Sequence, residues 1–174
     1  MFKRIAVATD GSSTALRAVQ VAADLAAKYD AEVIILHVLM WEEPKTILRR
    51  LAFVQHILDG KPEDQISSED VSVQSIIEDL ESRQIKINEK LISVLGNKLI
   101  EQATLKCREY GVHSVKEEIL EGDYADQIIA AVKRTDADAI VLGARGLGQL
   151  EGFLQGSVSQ KVVRDVETTC IIVK

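Results

Sequence analysis

Arg4-Ile-Ala-Val-Ala-Thr-Asp-Gly-Ser12 and, after a helical stretch, Glu32-Val-Ile-Ile-Leu-His-Val-Leu39 are the runs on which the fold turns. Each is a short apolar run without strict alternation, which predicts a strand buried on both faces, as in a parallel sheet. Asp10-Gly11-Ser12 is a turn signal at the end of the first run. Ser12 or Ser13 can cap a following helix by accepting a bond from an orphan N–H. Between the runs, Ala15, Ala18, Val19, Ala22, Ala26 and Tyr29 recur at helical spacing. They predict an apolar stripe whose alanines let the helix lie close to a sheet.

Working outward, a gap of roughly fifty residues follows Leu39, too long for a bare connection. Both prolines, Pro44 and Pro62, lie there. Ile47, Leu51, Val54 and Leu58 form one helical stripe, Asp59-Gly60-Lys61-Pro62 a turn, and Val73, Ile76, Ile77 and Leu80 a second stripe. Residues 41–87 therefore read as a helical insertion. A long helix is predicted from about Asn88 to Tyr110, with Ile92, Leu95, Leu99, Ala103 and Cys107 on its stripe and Gly111 as its stop. Then come a strand over Val112 to Leu120, a helix opening at Gly122-Asp123 that carries Ile128, Ile129 and Val132, and a strand over Asp138 to Gly143. A helix over Ser157 to Asp165 and a strand over Cys170 to Val173 complete the chain. The alternation predicts an α/β fold. Specifically, it is an open, doubly wound, parallel five-stranded sheet with helices on both faces, Rossmann-like, forming a single domain over 1–174. In such sheets ligands bind outside the carboxyl ends of the strands, where the strand order reverses.

Composition narrows the function classes. The chain has 174 residues and a net charge of -6, which argues against general nucleic-acid binding, since that relies on neutralising phosphates. No apolar run approaches the ~20 residues of a membrane span, and Ile5 to Ala8 is too short for a secretory leader. Cys107 and Cys170 have no metal or redox spacing, as expected of reduced thiols in a cytoplasmic protein.

Five of the ten glycines fall between Gly143 and Gly156, although each costs roughly 0.5–1 kcal/mol inside a regular element. The cluster links a predicted strand end to a predicted helix start, where free N–H groups and the positive dipole end favour anions. Two readings stay open: glycines that serve tight turns, or a backbone cradle for phosphates with Arg145 and the Ser157 hydroxyl beside it. It is not a P-loop, because no Gly-Lys-Ser/Thr ending is present, and Glu151 breaks a dinucleotide G-x-G-x-x-G pattern.

The spacing Gly143-x2-Gly146-x9-Gly156-Ser157 resembles the G-x2-G-x9-G-[S/T] motif of the nucleotide-binding universal stress proteins. Ile5 to Ser12 looks like that family's first strand and Asp-containing turn, Val33 to Val38 like its second strand, and Gly156 to Val163 like its post-loop helix. The likeness covers most of the chain outside about residues 41–87. It implies an adenine-nucleotide-binding domain that takes ATP, with magnesium arriving on the phosphates, and that usually forms a homodimer. It implies that Ala8, Thr9 and Asp10 line an adenosine pocket and that Val38 packs near the adenine. Leu142, Gly143, Gly146, Gly156, Ser157 and Val158 would surround the ribose and phosphates, with Arg145 and Ser159 assisting. It further implies a dimer through the last strand, Cys170–Val173, although Thr169 stands where the family often has proline.

Other residues have blander readings. His37, mid-strand, is expected to be a satisfied core histidine. Asp123, Asp126, Asp136 and Asp138 fall at turns and helix starts, where Asp caps, so no protein-built metal site is expected. The amphipathic, basic Lys45–Leu58 stretch could touch a membrane surface or a partner, but is expected to pack its apolar stripe on the domain or across the dimer, and Trp41 to cover the adenine end of the pocket. A slow ATPase and a nucleotide-independent scaffold acting through the insertion are the competing functions. Against the first, no paired general base is visible, and fold membership does not supply catalysis.

Overall fold

The computed structural model describes residues 2–39, 89–146 and 156–174. The chain divides into two compact units, Met1–Met40 with Gly96–Lys174, and Trp41–Leu95. Of the second unit, Glu89–Leu95 is described and is helical. The insertion expected over 41–87, with Trp41 and the Lys45–Leu58 stretch, lies outside the described residues, as do residues 147–155 of the glycine loop.

The elements are β1 (Arg4–Ala8), α1 (Ser13–Tyr29), β2 (Glu32–Leu39), α2 (Glu89–Glu109), β3 (Val115–Glu121), α3 (Tyr124–Thr135), β4 (Ala139–Gly143), α4 (Ser157–Asp165) and β5 (Thr169–Val173). The strands form one five-stranded sheet in the order β3-β2-β1-β4-β5, and every neighbouring pair is parallel. The chain builds outward from β1 through β2 to β3, then crosses to the other side of β1 for β4 and β5. The reversal falls between β1 and β4, whose register sets Ile5 beside Ala139 and Val7 beside Val141.

The two faces of the sheet explain the unbroken apolar runs. Ile5, Val7, Val33, Ile35 and Val141 point to one side and pack with Ala18, Ala22, Ile100, Ala103 and Cys107 of α1 and α2. Ala6, Ile34, Leu36, Ile140 and Leu142 point to the other and pack with Ala125, Ile128, Ala131 and Val162 of α3 and α4. A strand covered on both faces has no polar side to show, so alternation disappears. Burial also holds the Cys107 thiol up at about 11, consistent with a packing role.

The helix ends are finished locally. Ser12 caps α1 by accepting the Ala15 N–H at 3.2 Å, and Asp123 caps α3 by accepting the Asp126 N–H at 3.0 Å. Gly111 follows α2 with φ +82°, where glycine carries no steric penalty. At the opposite end of the sheet from the glycine loop, Asp138 accepts the N–H groups of Lys3 and Arg4 at 2.7 and 2.8 Å. These bonds, that of Arg4 first, hold its carboxyl below the ordinary value.

Two expectations shift. Tyr29, placed on the buried stripe of α1, is 38 % exposed: it lies in the last turn and meets Phe2 edge-on, with ring centroids 5.5 Å apart. The third strand starts at Val115 rather than Val112, and its Lys116, Glu117, Ile119 and Glu121 are exposed. As an edge strand, it carries the charges that discourage pairing with another sheet. Burial pushes the Glu118 carboxyl up, but bonds from Lys116 and Arg134 outweigh it and leave that group below its ordinary value.

Candidate functional site

The C-terminal ends of β1 and β4 run into Ala8-Thr9-Asp10 and Gly143-Ala144-Arg145-Gly146. These segments flank the point where strand order reverses, and α4 begins at Gly156 beside them: the Gly156 N–H donates to the Ala144 carbonyl at 2.7 Å.

The β1 turn is built for rigidity. Thr9 is buried, its N–H donates to the Leu36 carbonyl at 2.9 Å, and its own carbonyl lies 2.8 Å from His37 Nδ1. His37, itself buried, is thus the core histidine that the sequence suggested, and it also holds the residue before Asp10. Asp10 Oδ1 accepts the Ser12 N–H at 3.0 Å, so the carboxylate orients the turn while Asp10 stays half-buried. Gly11, with φ +85°, takes the left-handed backbone this turn requires.

The β4 side answers why glycines stand there. Neither Gly143 nor Gly146 has a left-handed backbone; both are places of close approach. A Cβ on Gly143 would lie 2.8 Å from Thr14 Oγ1 and 2.9 Å from the Ala15 nitrogen, so this glycine lets the first turn of α1 press against the end of β4. A Cβ on Gly146 would lie 2.5 Å from Asp10 Oδ2. Its missing side chain is what allows the β1 carboxylate and the glycine loop to meet.

The start of α4 differs from that of α1 in lacking a capping side chain and from that of α3 in lacking both a cap and a first-turn acid. Its N-cap, Gly156, supplies no side-chain capping bond, and no acidic residue occupies its first turn. Ser157 is exposed there and Val158 half-buried. Ser159 is buried, and its hydroxyl donates toward the Ala144 and Gly156 carbonyls at 3.2 and 3.0 Å, so it braces the loop base from within. Val38 and Leu142 are buried in the core on the α3 and α4 side, at the ends of β2 and β4. Arg145 and Gly146 are exposed.

The structure brings the segments around Asp10, Gly143–Gly146 and Gly156–Ser159 together at this end of the sheet, and two hydroxyls that sequence reasoning did not include reach the same loop base. Thr14 Oγ1 donates to the Arg145 carbonyl at 2.5 Å, and Ser12 Oγ approaches the same oxygen at 3.5 Å. A threonine in the first turn of a helix reads as an ordinary helix start, and nothing local marks its partner 131 residues away. Among the described residues, no group of three or more His, Cys, Asp and Glu is placed to hold a metal ion. Asp123 and Asp126 are engaged by Lys161 of α4 at 3.4 and 2.6 Å.

Chemically, the arrangement offers one carboxylate that can accept bonds from hydroxyl or amino groups, and beside the same loop base a helix start with no capping side chain at Gly156 and no acid in its first turn. That pairing suits a ligand with a polar, hydrogen-bonding end and an anionic end.

Comparison with known proteins agrees on the fold. A family model described as the universal stress protein family matches residues 1–174. The universal stress protein MJ0531 of Methanocaldococcus jannaschii is 25 % identical over 174 residues, covering 100 % of this chain and 83 % of that one. Among solved structures, a universal stress protein in complex with cAMP superposes with a TM-score of 0.63 at 22 % identity, covering 99 % of this chain and 97 % of that one. The universal stress protein from Archaeoglobus fulgidus in complex with dAMP gives 0.60 at 20 % identity, covering 99 % and 98 %.

Proposed function

We propose that this chain, which belongs to the universal stress protein family, binds an adenine nucleotide, ATP with its magnesium, between the carboxyl ends of β1 and β4. The observation that carries the reading is the start of α4, which has neither a capping side chain nor an acid in its first turn and sits beside the loop base at the reversal of strand order. Such a helix start attracts phosphate oxygens through oriented N–H groups and the positive end of its dipole. The Ser157 hydroxyl adds a donor, and Arg145 is an exposed cation on the same loop. Asp10 stands on the other side as an acceptor for a ribose hydroxyl or the base amino group. The solved family members bound to cAMP and dAMP support the ligand class. Magnesium enters as the counter-ion of the triphosphate, since it keeps most of its waters and binds phosphate oxygens readily.

In this reading the protein is a cytoplasmic stress-response module whose conformation or partners follow nucleotide occupancy, and it works as a homodimer. The outer edge of β5 is the surface for that pairing, because β5 bonds only to β4 within the sheet. Calorimetric titration of the nucleotide-stripped protein with Mg-ATP tests the site, and light scattering on the same sample gives its mass. Saturable binding by a particle of twice 19.2 kDa is expected. A folded protein that releases no heat with ATP would remove the nucleotide reading, and a monomeric mass would remove the dimer.

A further inference from the structure

The glycine loop is held at its base by side chains that touch no ligand in the reading above, and one of them stands out. Thr14 belongs to α1, yet its hydroxyl donates to the Arg145 carbonyl at 2.5 Å, on the far side of the strand reversal. The approach is possible only because Gly143 carries no Cβ: one there would sit 2.8 Å from the same Oγ1 atom. Gly143 and Thr14 are therefore a matched pair, with the glycine making room and the hydroxyl using it. The peptide group so gripped joins Arg145 to Gly146, and Gly146 is the residue that closes on Asp10 Oδ2. This bond, the shorter of two to that carbonyl beside Ser12 Oγ at 3.5 Å, connects the first turn of α1 to the part of the loop that faces the carboxylate.

We propose that Thr14 is a positioning residue: its hydroxyl fixes the orientation of the Arg145–Gly146 peptide, and through it the distance between the glycine loop and Asp10. The inference rests on the nucleotide reading for its effect on affinity, but the clamp itself is a property of the free protein. In the same picture Gly143 serves the site by seating α1, not by touching phosphate.

Thr14→Val keeps the shape of the side chain and removes the donor; Thr14→Ser keeps the donor. The amide resonance of Gly146 in the nucleotide-free protein reports the Arg145 carbonyl directly, because both belong to one peptide group. Thr14→Val is expected to move that resonance and Thr14→Ser to leave it near its wild-type position. Loss of one such bond is expected to weaken Mg-ATP about fivefold in the valine variant, with recovery in the serine variant. If the valine variant fails to fold, Thr14→Ala replaces it in both measurements. An unmoved Gly146 amide in the hydroxyl-free variant overturns the clamp. A moved amide with wild-type affinity overturns its role in positioning the site. If the wild-type protein binds no ATP, the nucleotide reading fails, and the amide resonance still decides the clamp.

Discussion

Helices α3 and α4 pack on the same face of the sheet, and they begin in opposite ways. At the start of α3 the chain supplies its own anions: Asp123 caps the Asp126 N–H, Asp126 lies in the first turn, and Lys161 neutralises both carboxylates. At the start of α4 there is a glycine, an exposed serine and no carboxylate. Carboxylates meet the backbone donors at the start of one helix and are missing from the start of the other. Position explains the division: α4 starts beside the strand reversal, where a ligand can approach, whereas α3 starts after β3, the edge strand.

The contrast is most strongly broken by Gly146→Val. A Cβ there would lie 2.5 Å from Asp10 Oδ2, so either the carboxylate or the loop must shift. Moving the carboxylate or the loop from its place removes contacts to the nucleotide, each worth about 1 kcal/mol or more, so Mg-ATP affinity should fall about tenfold or more, read by calorimetry. The fold should survive, since Gly146 is exposed and has no left-handed backbone. Wild-type affinity would show that the loop and Asp10 do not form one site.

Ser157→Asp tests the contrast from the other side by giving α4 the acid that α3 has. The carboxylate should stabilise the helix by about 0.3–1 kcal/mol and raise the melting temperature. It should also repel the phosphates and weaken Mg-ATP about tenfold. A more stable protein with unchanged affinity would show that this helix start is not where the anion binds.

Asp123→Ala should do the reverse at α3. Losing the cap costs about 1 kcal/mol, visible as a lower melting temperature, while nucleotide affinity stays unchanged. The smallest effect is pH dependence. The Asp126 N–H, and after it Lys161, hold the Asp123 carboxyl below its ordinary value of 3.8. A carboxyl whose folded pKa is lowered contributes fully above its unfolded pKa, and that contribution is lost as pH falls through the folded one. Asp123→Asn, which keeps an acceptor but does not titrate, should lose stability less steeply than wild type below about pH 4 in acid melts. Identical acid limbs would show that the cap is not electrostatic.

What the sequence revealed and what it concealed divide along the same physical line. Local signals were sound: the unbroken runs at Ile5 and Val33 announced doubly covered strands, and Ser12, Asp123 and Gly111 marked helix ends. The G-x2-G-x9-G-Ser spacing was legible because all its members belong to one strand-loop-helix passage, which the structure sets at the reversal of strand order. Long-range contacts were out of reach. Gly143 and Gly146 could be read as turn residues or as backbone for a ligand, and their close approaches to Thr14 and Asp10, far away in the chain, left no local mark. Tyr29 followed the apolar period of α1 but sits in the last turn, exposed against Phe2, because periodicity says nothing about where a neighbouring surface ends.

The bond from the Gly156 N–H to the Ala144 carbonyl has one more consequence. It joins the two feet of the glycine loop directly, and Ala144 is in turn tied to the last strand through the Val173 carbonyl at 2.7 Å. The two feet of the loop are therefore held at a fixed separation by the scaffold itself, and the entropy of closing a loop between fixed ends grows only slowly with its length. A change of sequence between those feet therefore leaves the anchoring bonds of the sheet in place, because both are made by backbone groups outside that stretch.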